Sequence, residues 1–107
     1  MKAYAIGQLH NVNMGDAILM YLKSIDATLA PFGGRFIIHG GAPEVLEGAF
    51  ASALIVIEFA DMATARAWYR SAAYQAILPL RADNSEGPIF LIEGVDAEHK
   101  ATDVLGA

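Results

Sequence analysis

The chain has no cysteine. Disulfides, thiolate nucleophiles and cysteine-ligated metals are excluded with it, and the absence is compatible with a reducing cytoplasm. Basic residues are scarce: 7 Lys and Arg stand against 12 Asp and Glu, a formal net charge of −5. Such a surface attracts neither a nucleic-acid backbone nor an anionic membrane. Long hydrophobic runs are missing, and none approaches a membrane span. The opening "MKAYAIGQLH" lacks the apolar core of a signal peptide. The expectation is a cytoplasmic domain with no nucleic-acid and no membrane partner. The three histidines, His10, His39 and His99, lie far apart and form no metal-ligand motif. No nucleotide or haem fingerprint and no Ser-His-acid signature is present. No cofactor and no metal are expected.

What the chain does have is apolar surface. Hydrophobic residues make up 55% of 107 positions, a high share for one small domain with a wet sheet face. A chain of this length forms one domain and buries about two thirds of its unfolded surface.

The apolar pattern changes period along the chain. "AYAIGQLH", residues 3–10, reads as a strand. From Met14 to Ala30 the stripe Ile18, Leu22, Ile25, Leu29 is helical, with Asn13 or Asp16 as its cap. "PFGG" stops it, with Gly33 in a left-handed cap position. "RFIIHGG" is strand-like, and "EVLEG" looks like its continuation. "SALIVIEFA", residues 52–60, is apolar on both faces and reads as a central, covered strand. "DMATARAWYRSA" is a helix capped by Asp61. Ser71 caps a second piece, "AAYQAILPLR", which Pro79 is expected to bend or end. "PIFLIEGV" is the last strand. Residues 1–95 are then the domain and 96–107 a polar tail.

The order β-α-β-β-α-β is the ferredoxin-like arrangement, an α+β fold. Right-handed crossovers put both helices on one face of a four-stranded antiparallel sheet. The other face stays apolar and bare, and a second copy packing sheet against sheet would cover it. The expected assembly is a homodimer through the sheet faces.

Read together, "GGRFIIHGG", "EVLEG", "IEF", "ARAWYRSAAYQ" and "LR" resemble the bacterial domain-of-unknown-function family 1330, over nearly the whole stretch Tyr4–Val95. The resemblance implies the fold of the dimeric α/β-barrel superfamily. It implies no reaction, and it places arginine where this chain has His39. Superfamily relatives include small oxygenases, lactone isomerases and haem enzymes, which fold likeness alone does not choose among.

The glycine pairs around "RFIIH" need no phosphate to explain them, because they sit between strand segments rather than before a helix. Gly40 and Gly41 predict a positive φ or a bulge. Arg35 and His39 are four apart on a strand and so are expected on one face. His39 is the group in that stretch able to titrate near neutral pH, and a carboxylate within its reach is expected. Glu58 interrupts an apolar strand. It is either a salt-bridge partner of Arg35 or Arg81, or an acid–base group with a raised pKa. Tyr69 and Tyr74 carry hydroxyls that need partners when buried, with Arg81 two turns beyond Tyr74. The ligand-binding candidates are Arg35, His39, Glu58, Tyr69, Tyr74 and Arg81; the catalytic candidates are His39 and Glu58. Two functions compete. In one, the protein binds, and turns over, a small and largely apolar organic molecule. In the other it is a non-catalytic homodimeric module whose polar groups are structural pairs. Convergence of the candidates on an open cavity favours the first.

Overall fold

The computed structural model describes residues 1–106. Its elements are β1 (Ala3–Leu9), α1 (Asp16–Leu29), β2 (Arg35–His39), β3 (Ala53–Phe59), α2 (Met62–Arg70), α3 (Ala72–Ala82) and β4 (Ile89–Glu93), with short 3-10 turns at Ala30–Phe32 and Ala101–Leu105. The sheet order is β2-β3-β1-β4 and every pair is antiparallel. This is the ferredoxin-like α+β fold, with the helices on one face.

Register explains which residues meet the helices. Ala3, Ala5 and Gly7 of β1 stand opposite Phe59, Ile57 and Ile55 of β3. Ala3, Ala5, Ile57 and Phe59 pack with Tyr21, Ile25 and Leu29 of α1, Ala65 and Trp68 of α2, and Tyr74 of α3. The alternate residues, Tyr4, Ile6, Leu54, Val56 and Glu58, face the opposite side, as the two-residue period requires. That open face also carries Ile38, Phe90 and Ile92, each 39–48% exposed. Among the described residues no helix lies on it; Pro43 and Phe50 of the loop after β2 border only its edge, at Ile38 and Leu54.

The helix boundaries follow local chemistry. Asp61 accepts from the Thr64 amide at 2.7 Å and Ser71 from the Tyr74 amide at 3.2 Å, so α2 and α3 start where cap residues stand. α1 departs from expectation: its N-cap is Gly15, with no side-chain cap, and Asp16 lies in the first turn instead. Pro79 does not end α3, which runs on to Ala82. Its ring deprives the Gln75 carbonyl of a helical donor, but Gln75 is exposed and water can substitute. "EVLEG" is not strand either. Residues 41–52 form an extended loop in which Leu46 is 85% exposed. Gly40 and Gly41, with φ of 75° and 84°, turn the chain out of β2 into that loop, a conformation costly for other residues.

The radius of gyration is 15.3 Å, against about 13 Å for a compact chain of this length. The molecule is also thin, 18 Å along its short axis, as one sheet with one helical layer should be.

Candidate functional site

Between the sheet and the helices lies a cavity of about 390 Å³. It exists because the sheet floor carries small residues there: Ala5 and Gly7 in β1 and Ala53 in β3. Ile18, Leu22 and Ile25 of α1 form one wall, and Ile55, Ile57 and Ile89 extend the floor. The lining is almost wholly apolar. Four polar or aromatic-polar groups reach it: His39, Tyr21, Tyr74 and Arg81, with Trp68 beside them. An apolar cavity of about 150 Å³ already accepts benzene, and this volume falls within the range of small-molecule sites.

His39 reaches the cavity by a route the residue spacing does not show. β2 and β3 pair Arg35 with Glu58 and Phe36 with Ile57, then shift register before pairing Ile38 with Val56 and His39 with Ile55. The extra residue is a β-bulge, which reverses the side-chain alternation beyond it. Arg35 and His39 therefore face opposite sides of the sheet, against the expectation from their four-residue separation. Arg35 points to the open face. His39 points to the helix face, where its ring stacks on Phe36 at 4.3 Å and 15°. It is exposed, so it stands at the solvent side of the cavity. No carboxylate pairs with it among the described residues.

Glu58 is on the open face and away from the cavity. It accepts from Lys2 Nζ at 3.2 Å and from Arg35 Nη2 at 3.0 Å. The Lys2 hydrogen bond first, and Arg35 after it, holds its carboxyl below the usual range. An acid–base group with a raised pKa is the opposite of what stands here; Glu58 is an ion-pair residue of the sheet. Arg81 is not its partner.

Tyr74, Arg81 and the unanticipated Tyr21 form the polar end of the cavity. Tyr74 is 2% exposed and Tyr21 is 9% exposed. Their hydroxyls lie 2.9 Å apart, and their rings meet edge-on at 6.3 Å. Burial, then the neighbouring Tyr74, pushes the Tyr21 phenol far above its ordinary range, so it stays neutral in any working buffer. The Arg81 guanidinium sits 6.0 Å from the Tyr21 ring centroid, a cation–π distance. Trp68 packs against Tyr74 at 4.2 Å and donates its indole N–H to Thr28 Oγ1 at 3.0 Å. Tyr21 was hidden in the sequence by its place on the apolar stripe of α1, where it reads as core. Tyr69 is half-buried and does not line the cavity. Its ring lies 5.5 Å from that of Tyr74, tilted by 43°, and borders a shallower cleft with Arg66, Arg70 and Gln75.

Of the six candidates, the structure brings His39, Tyr74 and Arg81 to one cavity, puts Arg35 and Glu58 together on the other sheet face, and leaves Tyr69 behind the aromatic cluster. Among the described residues, no group of three or more His, Asp or Glu could hold a metal. Among the described residues, no helix is long and apolar enough to cross a membrane.

Solved structures share this architecture. A protein of unknown function from Rhodopseudomonas palustris superposes with a TM-score of 0.67 at 12% identity, over 89% of this chain and 83% of that one. SnoaB, a cofactor-independent oxygenase from Streptomyces nogalater, gives 0.62 at 12% identity, over 92% and 98%. A dimeric ferredoxin-like protein of unknown function from Jannaschia sp. CCS1 gives 0.61 at 13% identity, over 88% and 100%. At these identities the likeness is one of fold. No curated protein matches the chain significantly. The family model of a domain of unknown function, DUF1330, matches residues 2–95, and on that match over most of its length the chain belongs to the DUF1330 family.

Proposed function

We propose that this protein is a homodimer whose subunits each bind a small, largely apolar organic molecule in the cavity between sheet and helices. The observation that carries the reading is the cavity itself. It occupies the place where a domain of this size would otherwise close-pack its core, and its small floor residues keep it open. Convergence of His39, Tyr74 and Arg81 supports binding over a purely structural role for those groups. Arg35 and Glu58, paired within the fold, fit the module reading and leave the ligand site. His39, at the solvent side, carries ring nitrogens that can donate and accept hydrogen bonds, and turnover of the ligand would pass through it.

The dimer rests on the uncovered face. Ile38, Phe90 and Ile92 beside Val56 and Ile6 make a contiguous apolar surface of the kind that soluble chains cover. The dimeric Jannaschia protein has the same fold, and two such sheets face to face would make the dimeric α/β barrel.

Native mass spectrometry of protein purified from its own host tests both claims. The expected result is twice the chain mass with an added small organic mass that leaves on denaturation. A ligand-free species whose Trp68 emission is unmoved by any apolar probe would overturn the binding reading.

A further inference from the structure

The polar end of the cavity holds more donors than acceptors. Arg81 is 8% exposed, and its Nε–H is buried with no hydrogen-bond partner. No carboxylate pairs with it among the described residues. Arginine cannot shed its proton to escape this situation. The Tyr21–Tyr74 pair shares one hydrogen bond between two hydroxyls, so one of the two protons is left over for a further acceptor. Tyr21 stays a neutral phenol and cannot serve as the missing anion. The rest of the lining is hydrocarbon, apart from His39 at the solvent side. A buried cation without a counter-charge is costly, and its surroundings supply only neutral groups, the Tyr21 ring face and the nearby Tyr21 and Tyr74 hydroxyls.

We propose that the cavity takes an organic monocarboxylate: the head accepts from the Arg81 guanidinium and the spare Tyr21/Tyr74 hydroxyl, and the apolar body lies along Ile18, Ile25 and Ile55. This deepens the small-molecule reading above and rests on it. The chemistry is selective. A neutral alcohol of the same shape fills the hydrocarbon part equally well but leaves the guanidinium uncompensated. Charge-assisted bonds from a planar guanidinium to a carboxylate are the stronger kind, so the acid should bind at least about tenfold tighter than its alcohol.

The test is calorimetric titration of the wild-type protein with 4-phenylbutanoate and octanoate, each against the alcohol of the same skeleton. The expected result is binding of both classes, with the acids preferred about tenfold or more. In Arg81→Gln the preference should vanish, through loss of acid affinity with the alcohol affinity kept. The wild-type ratio needs no variant, so a misfolded Arg81→Gln does not rescue the idea. A second readout follows the orphan donor directly. The Arg81 Nε–H resonance should move downfield on adding the acid and stay in place on adding the alcohol. Equal binding of acid and alcohol, or an unmoved resonance, overturns the carboxylate inference while the apolar-cavity reading stands. Binding of neither class overturns both.

Discussion

Thr28→Val replaces one buried hydroxyl with a methyl of nearly the same shape. Thr28 is 6% exposed, donates to the Ile25 carbonyl at 2.7 Å, and accepts from the Trp68 indole N–H at 3.0 Å. Trp68 is 2% exposed, so its N–H has no water to turn to. Leaving a buried donor unpaired costs about 1–3 kcal/mol, and burying the valine methyl offsets only part of that. A domain of this size shifts its melting temperature by about 4–8 °C per kcal/mol. A fall of about 5–15 °C is therefore expected. Melting should be followed by far-ultraviolet dichroism at fixed protomer concentration, since a dimer's stability depends on it. Urea unfolding read by Trp68, the chain's one tryptophan, gives the second measure. The same change in a Trp68→Phe background should be close to neutral, because the stranded donor is gone. An unchanged melting temperature in Thr28→Val, or an equal loss in both backgrounds, would refute the claim that this hydrogen bond pins the cavity's aromatic wall.

Gly34→Ala should destabilise by about 1–3 kcal/mol through overpacking. Its new methyl would lie 2.6 Å from Phe59 Cε1 and 2.8 Å from Leu29 Cδ2, both core residues; an unshifted urea midpoint would show that the core yields there. Glu58, whose folded-state pKa is lowered, contributes stability above its unfolded value of about 4.3 and loses it as pH falls through the lower folded value. Glu58→Gln should flatten the acid limb of the stability curve, and an identical limb in both proteins would remove the ion pair from the account. Ile92→Lys puts a charge on the open face at a side chain already 48% exposed. The fold should survive and the solution mass should halve, and a wild-type protein that is monomeric at micromolar concentration would defeat the dimer.

The parts of the fold that depend on side-chain period were legible from the residues. "SALIVIEFA" alternates such that Ile57 and Phe59 meet the helices while Val56 and Glu58 do not, and the register places them so. Asp61 and Ser71 announced α2 and α3 because capping is local chemistry. What stayed hidden depends on a partner distant in sequence. The bulge in β2 is a mismatch with β3 and has no signature inside "RFIIH", so the faces of Arg35 and His39 could not be separated. Tyr21 acquires its role only when α3 brings Tyr74 and Arg81 beside it. The cavity itself is a property of Ala5, Gly7 and Ala53 lying side by side across two strands, and each of them alone reads as an ordinary small residue.

The bulge in β2 gives one short strand two independent jobs. Arg35 and Ile38 belong to the outer surface where subunits would meet, whereas Phe36 and His39 belong to the chamber. In the proposed dimer, substitutions at 35 and 38 would retune assembly without touching the chamber, and changes at 36 and 39 would do the reverse. Were all five residues paired regularly with β3, without the bulge, the imidazole of His39 would move to the outer surface beside Arg35 and Ile38 would turn to the chamber mouth. On the proposed dimer and ligand, the two surfaces of this strand would be free to change separately so long as the bulge is kept.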